Sequence, residues 1–413
     1  MLFSSSFDEK LQQSMSLFSC YQKNCKMMDV SDPSMDAVSS SSRRMNLESS
    51  LVKIGREGGV VSSPVETEKD MVLYLTDKEI SYSSSDKEEE ELLLREPKHR
   101  YNLFPVEYHD IWMAYKNHQR AFWTAEEIDF GADREDWNRL EEKERLFIEY
   151  VLAFFASSDG IVLENLLQNF CSEIAIPEVR CFYAFQAMME NVHSEVYNLL
   201  IETYIGDPDR KRFLMDAIHQ IPCIERKAQW AIQWIQSNRN APGSLGRRLF
   251  AFGIVEGLFF SGSFCAIFWL KEKGVMTKAL GKSNEWIARD ESLHTQFAIM
   301  LYTQYIQNKI SEVEAHQIIH QAVLIEEEFI CESLPVKLIG MDQARMREYI
   351  RFCADRLLFQ FGYRKLYYES NPFPFMEKIS MEGKTNFFEQ RVTEYSLPPS
   401  MDSQSIFQFD THF

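Results

Sequence analysis

Residues 180–205 read RCFYAFQAMMENVHSEVYNLLIETYI, an uninterrupted run that contains neither Gly nor Pro. Within this run Glu190 and His193 are three residues apart, so on a helix both side chains project from one face and can reach one metal ion. The same Glu-x-x-His pattern recurs at Glu291 and His294. These motifs predict that two helices each contribute a carboxylate and an imidazole to a metal site.

Two further apolar segments each contain a single acid. Glu256 lies inside the apolar run of residues 253–270, GIVEGLFFSGSFCAIFWL, and Asp159 lies in the middle of an apolar stripe on another predicted helix. That stripe consists of Ile148, Leu152, Phe155, Val162 and Leu166. A buried ionised carboxylate is costly unless it is paired or coordinated. We therefore expect Asp159 and Glu256 to face the same metal site as the two motifs.

One carboxylate from each of two helices, with Glu-x-x-His from each of two others, is the ligand pattern of ferritin-like di-metal bundles. Four carboxylates with only two imidazoles favour iron or manganese over zinc. The alternative is a set of surface acids paired with Lys or Arg, but Arg289 is the one basic residue at helical spacing. The pattern predicts an all-α, ferritin-like helical bundle with a metal centre in its core.

The remaining chain supports this fold class. Apolar residues recur at spacings of three and four, and no alternating strand pattern of any length appears. Further helices are predicted at residues 176–205, 244–272, 284–308, 312–334 and 343–360. Twenty serines and an acidic block precede the helical part, which is typical of disorder. The predicted domains are a mostly disordered extension at 1–92, the helical bundle at 93–385 and a flexible tail at 386–413.

Charge and cysteine usage limit the functional classes. The formal net charge of -18 argues against binding to nucleic acid or to an anionic membrane, because both need a concentrated excess of Lys and Arg. Glu256 argues against reading residues 253–270 as a membrane span. Eight cysteines without a C-x-x-C pair indicate reduced thiols and a cytoplasmic protein.

Tyr197 follows His193 by four residues and therefore lies on the metal-facing side of the same helix, one turn further along. A buried tyrosine is most often core packing. Beside a metal centre that activates O2, however, a phenol can act as a one-electron donor. Phe260, Phe264 and Ile287 are expected to form a dry wall around it.

Several longer stretches resemble the radical-generating small subunit of class I ribonucleotide reductase, in its eukaryotic form. The resemblance covers the chain from about Glu91 to Arg391. Besides residues 180–205, it is carried by FWTAEEIDF (122–130), VLAFFASSDGIVLENL (151–166), VEGLFFSGSF (255–264), ARDESLH (288–294), LPVKLIGM (334–341) and NPFPFMEKISMEGKTNFFEQRV (371–392).

The resemblance implies a role for each matching residue. One iron would be bound by Asp159, Glu190 and His193, and the other by Glu256, Glu291 and His294. The radical would form on Tyr197. The electron route would run through Asp290, Trp123 and the tail residue Tyr395.

The resemblance also implies cofactors and partners. Two Fe ions per chain would form an oxo-bridged di-iron centre with O2, with Mn the less expected metal. The radical would pass to a separate large subunit that reduces ribonucleoside diphosphates. The tail ending at Phe413 would dock on that subunit, and the small subunit would form a homodimer.

Three alternatives remain open. The first is another O2-activating di-iron oxidase or desaturase, which needs no long electron route. The joint occurrence of Tyr197, Trp123, Asp290 and Tyr395 argues against it. The second is iron storage, although storage proteins are shorter and need no docking tail. The third is a non-catalytic regulatory subunit, which is expected to have lost ligands.

Overall fold

The computed structural model describes residues 91–98, 101–333, 336–339 and 341–376. No strand occurs among these residues, which confirms the predicted all-α class. The α-helices are α1 (His109–Arg120), α2 (Arg134–Arg139), α3 (Glu142–Asn165), α4 (Cys171–Glu173), α5 (Pro177–Tyr204), α6 (Pro208–Met215), α7 (Ala217–Gln220), α8 (Pro222–Ile235), α9 (Ser244–Ile254), α10 (Ser261–Glu272), α11 (Leu280–Met300), α12 (Glu312–Glu327) and α13 (Gln343–Gln360).

Four helical segments form the centre of the bundle. Helix α3 packs along α5, and α11 packs against both α5 and α9. Between α9 and α10 the chain forms a π-helical segment, Val255–Phe259, which also contacts α11. Such π-bulges are frequent at functional sites, and this one carries Glu256. Apolar side chains of these segments fill a continuous core.

The predicted helices agree with the observed ones within a few residues. The segment predicted at 176–205 is Pro177–Tyr204, where proline occupies the first turn and its fixed φ suits a helix start. The segment predicted at 343–360 matches α13, whose preceding residue Asp342 accepts hydrogen bonds from two backbone N–H groups of the first turn. Six helices were not among the predictions: α1, α2, α4, α6, α7 and α8.

Within the described part of the chain, two helical segments are long and apolar enough to cross a membrane, Glu142–Glu173 and Ser244–Glu272. The most apolar window of the second is 94% buried within the protein, and that of the first is 50% buried. Core helices of a bundle have the same length and composition. Glu256 inside the second segment contacts other buried polar groups, as expected for a core helix.

Of the two predicted domain boundaries, 92/93 lies just inside the described residues and 385/386 lies outside them; both stay predictions. The described chain begins at Glu91, which is buried and accepts hydrogen bonds from the backbone N–H of Gln307 and Asn308 at 3.0 and 2.9 Å. Leu93 is fully buried in the core. At the other end Phe373 and Phe375 are buried as well, so the packed part of the chain extends at least to these rings.

Asp133 positions the start of α11. This fully buried carboxylate accepts hydrogen bonds from the backbone N–H groups of Lys278, Ala279 and Leu280 at 2.9, 2.7 and 3.0 Å. These donors have no partner inside the helix. Helix α11 therefore begins at Leu280 rather than at the predicted residue 284, because an acid 147 residues away in sequence caps it.

We predict that Asp133→Ala lowers the free energy of unfolding by about 3 kcal/mol, since buried N–H groups lose their acceptor. Urea denaturation followed by circular dichroism measures this change. Asp129→Ala is the matched control, because Asp129 accepts a single exposed N–H, from Gly131. The control is expected to cost about 1 kcal/mol or less. Equal losses in the two variants would contradict the capping role.

Candidate metal centre

The six predicted ligands come from four helical segments. Asp159 lies on α3, Glu190 and His193 on α5, Glu256 on the π-helical segment, and Glu291 and His294 on α11. Each of the six is at most 3% exposed. The structure therefore brings all six predicted ligands into the buried interior.

The ligand atoms of these residues form two overlapping groups. Within each group one ligand atom per residue lies within 4.8 Å of all the others. The first group is Asp159, Glu190 and His193, and the second is Glu190, Glu256, Glu291 and His294. Glu190 belongs to both, so the arrangement suits two metal ions that share a ligand.

The carboxylates of Glu190 and Glu291 each lie close to the Nδ1 atoms of both ligand histidines, His193 and His294. The Oε2 and Oε1 atoms of Glu190 lie 3.5 Å from His193 Nδ1 and 3.1 Å from His294 Nδ1. The Oε1 and Oε2 atoms of Glu291 lie 3.2 and 3.3 Å from the same two nitrogens. Asp159 belongs only to the first group and Glu256 only to the second. One carboxylate from each of two segments, with Glu-x-x-His from each of two others, is a donor set for a dinuclear centre.

The electrostatics of the site are dominated by buried acids. Burial and the charge of Glu190 raise the pKa of Asp159 well above its ordinary value. Burial and the charge of Glu291 likewise raise the pKa of Glu256. For Glu291 burial acts in the same direction, but the adjacent Glu256 carboxyl and the charge of His294 hold its pKa well below the usual range. Bound cations would remove this conflict between buried acids.

The residues also fit a metal by their hydrogen bonding. Asp159 Oδ2, His193 Nδ1 and Glu256 Oε2 are buried and have no hydrogen-bond partner among the described residues. Buried polar atoms are normally paired, so these three atoms are available to coordinate. Four carboxylates and two imidazoles match iron or manganese better than zinc.

Trp123 and His193 are joined through one oxygen atom of Asp290. Trp123 Nε1 donates to Asp290 Oδ2 at 2.7 Å, and His193 Nε2 lies 3.2 Å from the same atom. Burial lowers the pKa of His193, but Asp290 and the adjacent Glu190 and Glu291 raise it well above the ordinary value. The other Asp290 oxygen, Oδ1, accepts hydrogen bonds from the Arg289 guanidinium at 3.0 and 3.1 Å. All three predicted members of this link are buried.

Tyr197 is buried among aromatic side chains beside the site. Its ring stacks on Phe155 with centroids 4.7 Å apart, and Phe155 packs in turn on Phe260 and Phe264 at 5.8 and 5.3 Å. Ile287 is buried in the same core. The Tyr197 hydroxyl has no hydrogen-bond partner among the described residues. Burial, with the charge of Asp159, raises the pKa of Tyr197 well above its ordinary value, so the phenol is neutral.

Two residues at the site were not predicted from the sequence. Gln186 Nε2 donates to Glu256 at 3.1 Å and to Glu190 at 3.3 Å. Gln186 lies four residues before Glu190, so helical spacing was a signal that could have found it. His118 Nε2 lies 3.2 Å from His294 Nε2, and burial lowers the pKa of His118 to about 2. No local motif marks His118, because its contact joins α1 to α11.

The remaining predicted site residue, Tyr395, lies outside the described residues, as does the tail end at Phe413. Their roles stay predictions.

Comparisons with known proteins agree on one family. A family model described as "Ribonucleotide reductase, small chain" matches residues 100–372. The ribonucleoside-diphosphate reductase small chain of Trypanosoma brucei brucei is 54% identical over 334 residues, which cover 80% of this chain and 98% of that protein. The ribonucleoside-diphosphate reductase subunit M2 of Homo sapiens is 52% identical over 327 residues, covering 79% and 83%.

Among solved structures, the ribonucleotide reductase Rnr4 homodimer from Saccharomyces cerevisiae matches with a TM-score of 0.64 at 37% identity. The match covers 74% of this chain and 93% of that one. Fold and sequence therefore identify the same group of proteins.

We predict that Glu190→Ala abolishes tight binding of both metal ions, because Glu190 contacts both ligand histidines. The loss in affinity should exceed the roughly 100-fold that removal of an outer-shell partner can cost. Equilibrium dialysis with Mn(II) measures the ions bound per chain. Glu195→Ala, at an exposed position of the same helix, is the control and should keep two ions. Unchanged binding by Glu190→Ala would show that the metals bind elsewhere.

Proposed function

The chain belongs to the ribonucleotide reductase small-chain family, as the sequence predicted, and we propose that its metal centre generates a radical on Tyr197. The protein is the small subunit of a ribonucleoside-diphosphate reductase, an oxidoreductase that acts with a large subunit. The observation that carries the proposal is the convergence of six buried ligands beside one buried phenol.

The proposed metal is iron, two ions per chain. Asp159, Glu190 and His193 would bind one ion, and Glu256, Glu291 and His294 the other. When bound, iron would supply, with O2 as the oxidant, the oxidising power to convert a phenol to a neutral radical, a step in which the phenol gives up one electron and its hydroxyl proton. Manganese suits the same oxygen-rich donors and is the alternative metal.

Tyr197 is the proposed radical site. Stacking on Phe155 and the aromatic layer behind it keep water from the ring, which favours a long-lived radical because solvent and reductants cannot reach it. The high pKa of Tyr197 keeps the hydroxyl protonated until oxidation. The unpartnered hydroxyl leaves the ring free of a competing hydrogen bond within the described residues.

The proposed electron route runs through Asp290, Trp123 and Tyr395. Support comes from the continuous hydrogen-bonded path between the ligand His193 and the indole of Trp123. Asp290 holds both partners through one oxygen, and Arg289 fixes its other oxygen. This path gives an electron a defined route between Trp123 and the metal centre, so that an electron moves inward as the oxidising equivalent moves outward; a simple oxidase would not need such a route.

The proposed partners are a large subunit, docked through the tail that ends at Phe413, and a second copy of this chain. On this proposal residues 1–92 form an extension, 93–385 the catalytic bundle and 386–413 the docking tail. Reduction of ribonucleoside diphosphates to deoxyribonucleotides takes place on the large subunit. We also infer a cytoplasmic location, supported by the six cysteines in the described part of the chain, which are all free thiols.

We predict that Tyr197→Phe removes the tyrosyl signal from the electron paramagnetic resonance spectrum of the protein loaded aerobically with iron. Phenylalanine cannot be oxidised at an accessible potential, while the metal ligands are unchanged, so two irons per chain should remain. Tyr183→Phe is the control, since Tyr183 is an equally buried tyrosine on the same helix. A tyrosyl signal that persists in Tyr197→Phe would refute the assignment.

A separate prediction concerns the tail. Deletion of residues 400–413 should abolish binding to the large subunit and reductase activity, yet leave the Tyr197 signal at full intensity. Tyr395→Phe in the full chain should keep binding and lose turnover, because only the route is broken. Surface plasmon resonance with the large subunit, together with an activity assay, separates the two effects. Full activity of the truncated chain would rule out tail docking.

A further inference from the structure

His118 is a buried histidine that belongs to none of the motifs. It lies near the end of α1 and is fully buried, with its ring against Phe182 and Phe185 at centroid distances of 5.0 and 4.8 Å. Its Nε2 atom lies 3.2 Å from Nε2 of His294. Its Nδ1 atom is buried and has no hydrogen-bond partner among the described residues.

The chemistry of the His294 ring decides which histidine donates this hydrogen bond. His294 Nδ1 faces Glu190, Glu291 and Glu256 at 3.1, 3.3 and 3.7 Å, so Nδ1 is the atom that points into the metal centre. A neutral imidazole that coordinates through Nδ1 carries its proton on Nε2. His294 Nε2 must then donate, and His118 Nε2 must accept.

The two ligand histidines thus have different outer partners. His193 Nε2 faces the carboxylate of Asp290, whereas His294 Nε2 faces the imidazole of His118. The partner of a ligand histidine fixes its tautomer and ring orientation and sets its basicity. A carboxylate strengthens the donor more than a neutral imidazole does. The two metal positions therefore differ in the basicity of their histidine ligands.

The end of α1 and the residues that follow it form hydrogen bonds on both sides of the metal centre. Trp123 supports Asp290, and the Ala121 carbonyl accepts a hydrogen bond from the Arg289 guanidinium at 2.6 Å. One turn earlier, His118 reaches His294. These contacts fix the end of α1 against α11. The position of the His118 ring relative to His294 therefore depends on both helices.

We propose that His118 is a positioning residue for the metal ion bound by Glu256, Glu291 and His294. It accepts the hydrogen bond that His294 Nε2 donates and so holds that ligand in the tautomer whose Nδ1 is free for metal. The affinity and spectrum of this ion therefore depend on His118, and those of its neighbour do not. The inference rests on the proposed dinuclear centre.

Anaerobic titration of the full chain with Fe(II), read by iron binding and by Mössbauer spectroscopy, tests the proposal. In His118→Leu one of the two irons should bind about 10- to 100-fold more weakly, and one of two Mössbauer doublets should change. His118→Gln should restore both readouts, because its side-chain oxygen can occupy the position of Nε2. Phe185→Leu, which alters packing on the same ring, is the control and should leave both irons as in the unaltered protein.

Unchanged affinity and unchanged doublets in His118→Leu would overturn the proposal. So would equal weakening of both irons, or an equal effect in Phe185→Leu, since each would reduce His118 to a packing role. Should His118→Leu fail to fold, His118→Gln and His118→Asn provide the test. The Gln variant should bind both irons normally. The Asn variant should bind one iron more weakly, because its side-chain oxygen falls short of His294. Failure of the unaltered protein to bind two irons would instead reject the proposed dinuclear centre.

Discussion

Four carboxylates buried in the apolar interior of a helical bundle are the constraint on which the rest of the structure depends. Ionised acids in such surroundings repel one another and lose their hydration, and each costs several kcal/mol unless it is compensated. The raised pKa values of Asp159 and Glu256 express this conflict. Two divalent cations would resolve it. Bound cations would therefore stabilise this core as well as supply the chemistry proposed for it.

The residues around the ligands suit the radical chemistry proposed for this centre. On one side Tyr197 lies in an aromatic enclosure with no hydrogen bond to its hydroxyl within the described chain. On another side the ligand His193 continues through Asp290 to Trp123. The first arrangement suits storage of an oxidising equivalent, and the second suits its transfer. Both arrangements adjoin the Asp159 and His193 half of the centre, whereas His294 on the other half faces His118.

The ligands could be predicted from the sequence because their spacing is local. Glu190 with His193, and Glu291 with His294, are set three residues apart by the helix itself, and a lone acid on an apolar stripe marks Asp159. Contacts between distant segments had no such signal. His118 meets His294 across 176 residues of sequence, and the start of α11 depends on a cap from another part of the chain. Asp290 and Trp123 were found through family resemblance alone, since a surface acid and a packed aromatic would show the same local pattern.

The dinuclear centre is tested most directly by anomalous diffraction at the iron absorption edge from crystals of the protein loaded with Fe(II). Two peaks per chain are expected in the bundle core, one in contact with Asp159, Glu190 and His193 and the other with Glu256, Glu291 and His294. A single peak, or peaks outside this set of side chains, would contradict this assignment.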